Sequence, residues 1–145
     1  MTIKNFINWF LAKLKALFSK QSSQALAFRD LTFTTHTNVN NGVQARLDLG
    51  NDLEFSVVSM KKREGEFGGL YGDLTEGTYE VAVFHKNDML PLNAFDDVLG
   101  WQTEDEVTEL MGNLQGRQAD VAGFLAFLYT EKDEARADLG LTNHS

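Results

Sequence analysis

The chain has 145 residues, of which 43% are hydrophobic and eleven are Phe, which suits one domain with a real core and excludes a disordered polymer. A formal net charge of -8 disfavours direct binding to nucleic-acid phosphate. The absence of Cys removes disulfide scaffolds, thiol catalysis and Cys-based zinc sites together.

Charge is split along the chain. Residues 1–29 carry Lys4, Lys13, Lys15, Lys20 and Arg29 and no acid, while all 21 acids lie in the remainder. A basic arm on an acidic body points to an interaction segment. Within the arm, Ile3, Phe6, Ile7, Phe10, Leu14, Leu17 and Phe18 recur at three- and four-residue spacings. That spacing predicts an amphipathic helix over residues 1–20 with Thr2 as its cap. Lysines flank the stripe and Trp9 widens it. Lys13 and Lys15 interrupt the apolar run far short of the ~20 residues of a membrane span. Ala25-Leu26-Ala27 matches the A-x-A step of a signal peptide, but the two lysines break the apolar region that should precede it. A docking helix remains, with Lys4, Phe6, Trp9, Phe10, Lys13, Leu14, Lys15 and Phe18 as its contact residues. Its surface is the acidic body of the same chain, a protein partner or a membrane face. A polar linker over residues 21–27 then joins the arm to the body, residues 28–145.

The body opens with strand patterns. Leu31 to Thr37 alternates and is rich in Thr, Asn41-Gly42 signals a tight turn, and Val43 to Leu49 alternates cleanly. After a turn at Gly50-Asn51-Asp52, Leu53 to Met60 makes a third strand, so the three form an antiparallel meander. Lys61 to Gly77 reads as a loop rich in Gly. Thr78 to His85 is a fourth strand whose apolar run implies cover on both faces. Met89 to Leu92, beside the single proline Pro91, is a short edge strand. Thr103-Glu104-Asp105-Glu106 has the form of a capping box, and Val107, Leu110, Met111 and Leu114 give the helix it starts a buried stripe that Gly116 ends. A last helix starts near Gln118, buries Val121, Phe124, Leu125 and Leu128, and is extended or followed by residues 131–138. The expected class is therefore α+β: an antiparallel sheet of four or five strands, two C-terminal helices on one face and the N-terminal amphipathic helix.

Catalytic patterns are weak. His36, His85 and His144 are far apart in sequence, although His36 and His85 fall on predicted strands and could meet across the sheet. No Ser lies in a Gly-x-Ser-x-Gly elbow. The Gly-rich loop lacks the Lys-Ser/Thr ending of a P-loop and carries acids that would repel phosphate, so its glycines are read as serving a tight bend. No catalytic residue, metal site or cofactor is expected. Asp96, Asp97, Glu104, Asp105 and Glu109 form a candidate acidic interaction face. Glu104 and Asp105 also suit the first turn of a helix. Residues 96–138 hold eleven acids against three bases, which admits a nucleic-acid mimic as a third reading.

Three stretches carry a resemblance: Phe67-Gly68-Gly69-Leu70-Tyr71, Thr78-Tyr79-Glu80-Val81-Ala82-Val83, and Asp97-Val98-Leu99-Gly100-Trp101-Gln102 leading into Thr103-Glu104-Asp105-Glu106-Val107. Over these roughly 40 residues the chain resembles a group of small tailed-bacteriophage proteins. They share a Gly-rich turn, a Tyr-Glu-hydrophobic strand and a Gly-aromatic step into a Thr-x-x-Glu helix. This chain departs by inserting Gly72 to Gly77 between turn and strand. The resemblance implies a phage origin in the cytoplasm of an infected bacterium and no enzyme activity. The expected function is a non-enzymatic accessory protein that binds and modulates a host or phage protein, with a peripheral membrane protein held by the basic helix as the alternative.

Overall fold

The computed structural model describes residues 26–65, 68–93 and 95–141, so the whole arm lies outside the described residues, with all of its contact positions. In chain order the strands are β1 (Thr34–Thr35), β2 (Gly42–Gly50), β3 (Leu53–Met60), β4 (Tyr79–His85), β5 (Asp88–Met89) and β6 (Val98–Gln102). The helices are α1 (Glu104–Leu114) and α2 (Val121–Asp138).

The sheet is antiparallel and runs β1-β2-β3-β4, with β5 and β6 both paired to the outer edge of β4. Among the described residues it has six strands rather than the expected four or five, because the fifth lane is made in two pieces. β5 covers the end of β4 at Phe84 and His85, and β6 covers its start from Tyr79 to Ala82. The turns explain the register. Asn51 and Asp52 take φ of 53° and 65°, and Lys86 and Asn87 take 52° and 69°. Successive left-handed residues are what a two-residue hairpin needs to match strand twist, and Asn and Asp tolerate that region best.

Alternation then sorts the side chains. Leu53, Phe55 and Val57 of β3, Tyr79, Val81 and Val83 of β4, and Leu99 of β6 face one side and form the core. Val107, Leu110, Met111 and Leu114 of α1 and Phe124, Leu128 and Ala135 of α2 complete it. α1 starts at the capping box. The Glu106 N–H donates to Thr103 Oγ1 at 3.2 Å and the Thr103 N–H to Glu106 Oε1 at 3.1 Å. It stops where Gln115 turns extended and Gly116 takes φ 91°.

Several boundaries differ from the sequence expectation. The first strand is two residues, not seven, because the chain before it is pulled off the ladder. The rings of Phe28 and Phe33 both pack on Tyr79, at 4.9 and 5.7 Å between centroids, and the Phe28 N–H donates to Thr108 Oγ1. The edge strand falls at Asp88–Met89 instead of Met89 to Leu92; Leu90, Pro91 and Leu92 are buried in irregular chain beyond it, with the Leu90 N–H still donating to the Val83 carbonyl. Lys61 to Gly77 includes a 3-10 turn at Leu74–Glu76, and another at Arg117–Asp120 delays the last helix to Val121. The Asp120 carboxylate then caps α2 by accepting from the Gly123 N–H at 3.0 Å. Residues 131–138 extend α2.

Candidate functional site: an aromatic platform on a strand bulge

Nothing in the alternation pattern announced β6. Its start is fixed by Asn93, a buried side chain whose Nδ2 donates to the Val98 carbonyl at 3.0 Å. Asn93 Oδ1 accepts from the Phe95 and Asp96 N–H groups at 2.8 and 2.7 Å. This Asx turn delivers the chain to the edge of β4.

There the pairing slips. Val81 faces Leu99 and Tyr79 faces Gln102, so two steps along β4 are matched by three along β6. The additional residue makes a bulge, and the residue that takes the left-handed conformation is Trp101, with φ 57°. A bulky side chain at positive φ is strained. The surroundings hold it there. The Trp101 N–H donates to the Tyr71 carbonyl at 2.7 Å, and the Tyr71 N–H donates to Glu80 Oε2 at 2.8 Å. The Gly-rich loop is thereby tied to β4 and β6 together.

Two glycines permit that approach. A Cβ on Gly100 would lie 2.5 Å from the Tyr71 Cβ, and one on Gly72 would lie 3.0 Å from the Thr78 carbonyl oxygen and the Tyr79 Cα. Only glycine lets these backbones meet. The tight-bend reading holds at Gly68 and Gly69, with φ of 75° and 84°, but Gly72 serves contact instead.

The result is an exposed aromatic pair. The Trp101 and Tyr71 rings meet edge-on at 6.4 Å with an interplanar angle of 72°. They remain 47% and 41% exposed. The Lys62 ammonium lies 4.6 Å from the Trp101 ring centroid, and its Nζ also donates to the Leu70 carbonyl. Such a site offers two exposed aromatic rings with a cationic group, Lys62, and a carboxylate, Glu80, beside them.

The acidic candidates are not gathered here. Asp96 is exposed in the turn before β6 and Asp97 is half-buried beside it. Glu104 and Asp105 occupy the exposed first turn of α1, with Glu109 exposed further along it. Among the described residues, no group of three or more His, Asp or Glu could hold a metal ion. His36 and His85 do not meet. The His36 N–H donates to the Gly42 carbonyl, Gly42 pairs with Met60, and His85 pairs with Leu53, about 23 Å away along β3. His36 Nδ1 accepts from the Asn38 N–H at 3.1 Å. Burial, and then the Glu104 carboxylate, push the Tyr79 hydroxyl above its usual range.

Tyr71 and Trp101 stand in the stretches that carry the resemblance, but the sequence assigns neither a site role. The available signal was that glycines stand next to both aromatics, at Gly72 and Gly100. No described helix is long and apolar enough to cross a membrane. Comparison with known protein families, curated proteins and solved structures finds no match.

Proposed function

We propose that the chain is a non-enzymatic accessory protein of a tailed bacteriophage that binds a host or phage protein and modulates it, with the Tyr71–Trp101 platform as its contact. The observation that carries this reading is Trp101 itself. It is a large aromatic held at φ 57° within a strand while nearly half its surface stays in water. A strained backbone persists only where its surroundings over-determine it, and such outliers cluster at binding sites. Trp and Tyr dominate binding hot spots because they bury much area at small entropic cost. The phage origin is supported by the resemblance, whose Gly-Gly-Leu-Tyr and Leu-Gly-Trp pieces are the two strips that the fold puts in contact.

The experiment is affinity purification of the tagged full chain from infected cells, alongside Trp101→Gly and Tyr71→Ala. Loss of a hot-spot side chain should weaken the complex by about 2 kcal/mol, roughly thirtyfold in Kd. Recovery of the same partner at unchanged affinity with both substitutions would remove the platform from the binding surface.

A further inference from the structure

The sheet has a second face. Even-numbered residues of β2, β3 and β4 point away from the helices. In register they form the rows Arg46-Ser56-Ala82-Val98, Gln44-Val58-Glu80 and Glu54-Phe84-Met89. Ser56 and Ala82 are the smallest side chains of the set, so the first row is a furrow between Val58 and Phe84. Leu70 stands at its margin. Both helices give their buried residues to the core on the other face, and Val58, Leu70, Phe84 and Met89 are outside that cluster. A sheet face left to water is ordinarily polar. This one carries an apolar strip of Val58, Ala82 and Phe84 between charged side chains, with only the Arg46 guanidinium, 5.3 Å from the Phe84 ring centroid, lying over it, which leaves the cover expected on both faces of β4 incomplete among the described residues.

We propose that residues 3–18 of the same chain lie across this furrow, with the Phe6-Phe10-Leu14 stripe against it. Length is the first argument. Sixteen residues at helical rise span about 24 Å, and five strand lanes span about 19 Å. The point of entry is the second. The chain is pinned at Phe28, where the backbone bonds Thr108 and the ring packs on Tyr79 at one end of the sheet. Residues 19–25 can extend about 24 Å, more than the ~10 Å needed to pass from one face of a sheet to the other. Charge is the third. With Glu54 paired to Arg46, the second face keeps the carboxylates of Asp48 and Glu80 against the Lys62 ammonium on the Leu70 carbonyl, and Lys4, Lys13, Lys15 and Lys20 come from a segment without an acid.

The natural chain has no Cys, so one introduced thiol reports one place. Maleimide labelling is measured for Gln44→Cys, in the row that walls the furrow beside Val58, and Thr130→Cys on the exposed side of α2, each with and without Phe10→Glu/Leu14→Glu. Labelling of Gln44→Cys should accelerate at least about tenfold when the stripe carries the two glutamates, the protection of a closed state favoured by about 1.4 kcal/mol. Thr130→Cys should not change. Equal rates at Gln44→Cys with and without the glutamates overturn the proposal. So does protection that vanishes on dilution, which would mean a second copy, or protection that appears only with anionic vesicles. Zero-length carboxyl–amine cross-linking of the unsubstituted chain gives an answer even if the double substitution unfolds. Monomeric cross-links from the arm lysines to Asp48, Glu54 or Glu80 support the proposal. Cross-links to Asp133 or Glu134 of α2, cross-links only between chains, or none from the arm lysines to the second face overturn it.

Discussion

Gly100 and Trp101 are neighbours whose substitution tests the same bulge from two sides, and the geometry sets the size of each effect. At Gly100 a methyl group would sit 2.5 Å from the Tyr71 Cβ and 3.3 Å from the Tyr71 carbonyl oxygen. The loop must move to admit it. Overpacking costs about 1–3 kcal/mol, and losing the Trp101 N–H to Tyr71 hydrogen bond adds about 1 kcal/mol. Gly100→Ala should therefore destabilise by about 2–4 kcal/mol. At Trp101 the terms oppose one another. Replacement by Gly relieves a left-handed conformation worth about 1–2 kcal/mol. It forfeits the buried half of the indole, about 2 kcal/mol, the edge contact with Tyr71, about 0.5–1.5 kcal/mol, and the Lys62 cation–π contact, about 0.5–1 kcal/mol. The relief of strain should hold the cost of Trp101→Gly to about 1–3 kcal/mol, less than those contacts sum to. Urea denaturation of both variants, with thermal melts alongside, checks the pair. A neutral Gly100→Ala together with a Trp101→Gly that costs more than about 4 kcal/mol would refute the strained-bulge account.

Gly72→Ala should destabilise by about 1–3 kcal/mol in the same assay, because its Cβ would press on the backbone of Thr78 and Tyr79. Thr103→Ala should cost about 0.5–2 kcal/mol by breaking the capping box, while a conservative Thr103→Ser should recover most of it. Arg46→Ala should cost about 0.5–2 kcal/mol, only part of it lost in high salt, since it removes a partly exposed 2.6 Å ion pair with Glu54 and a cation–π contact with the Phe84 ring. Tyr79 gives a pH dependence. Its hydroxyl ionises above the usual value of 10.0 when folded, so the folded state resists losing that proton. The stability it contributes is complete below about pH 10 and is lost as pH rises through the folded value, with a slope of up to about 1.4 kcal/mol per pH unit. Alkaline melts of Tyr79→Phe should lack that component.

The elements that sequence reasoning reached are those whose signal is local. Period-two alternation in Val43 to Leu49 and Leu53 to Met60, paired left-handed residues at the turns and the Thr103–Glu106 box each act within a few residues. Strand β6 was missed because its edge position depends on Asn93 and on the partner β4, and its five residues contain a glycine and a bulge. β1 was overdrawn because the pull of Phe28 and Phe33 toward Tyr79 is tertiary. The platform was illegible for a related reason. Tyr71 and Trp101 are thirty residues apart, and what joins them is one backbone hydrogen bond and the absence of two Cβ atoms.

The most direct measurement places a photoreactive phenylalanine at position 101 of the full chain in infected cells, and at Tyr129, an equally exposed aromatic on α2, as the comparison. One protein cross-linked at 101, absent at 129 and lost when Tyr71→Ala is added, is the result predicted here. Cross-linking that is equal at both positions, or unaffected by Tyr71→Ala, would contradict a binding platform at the β6 bulge.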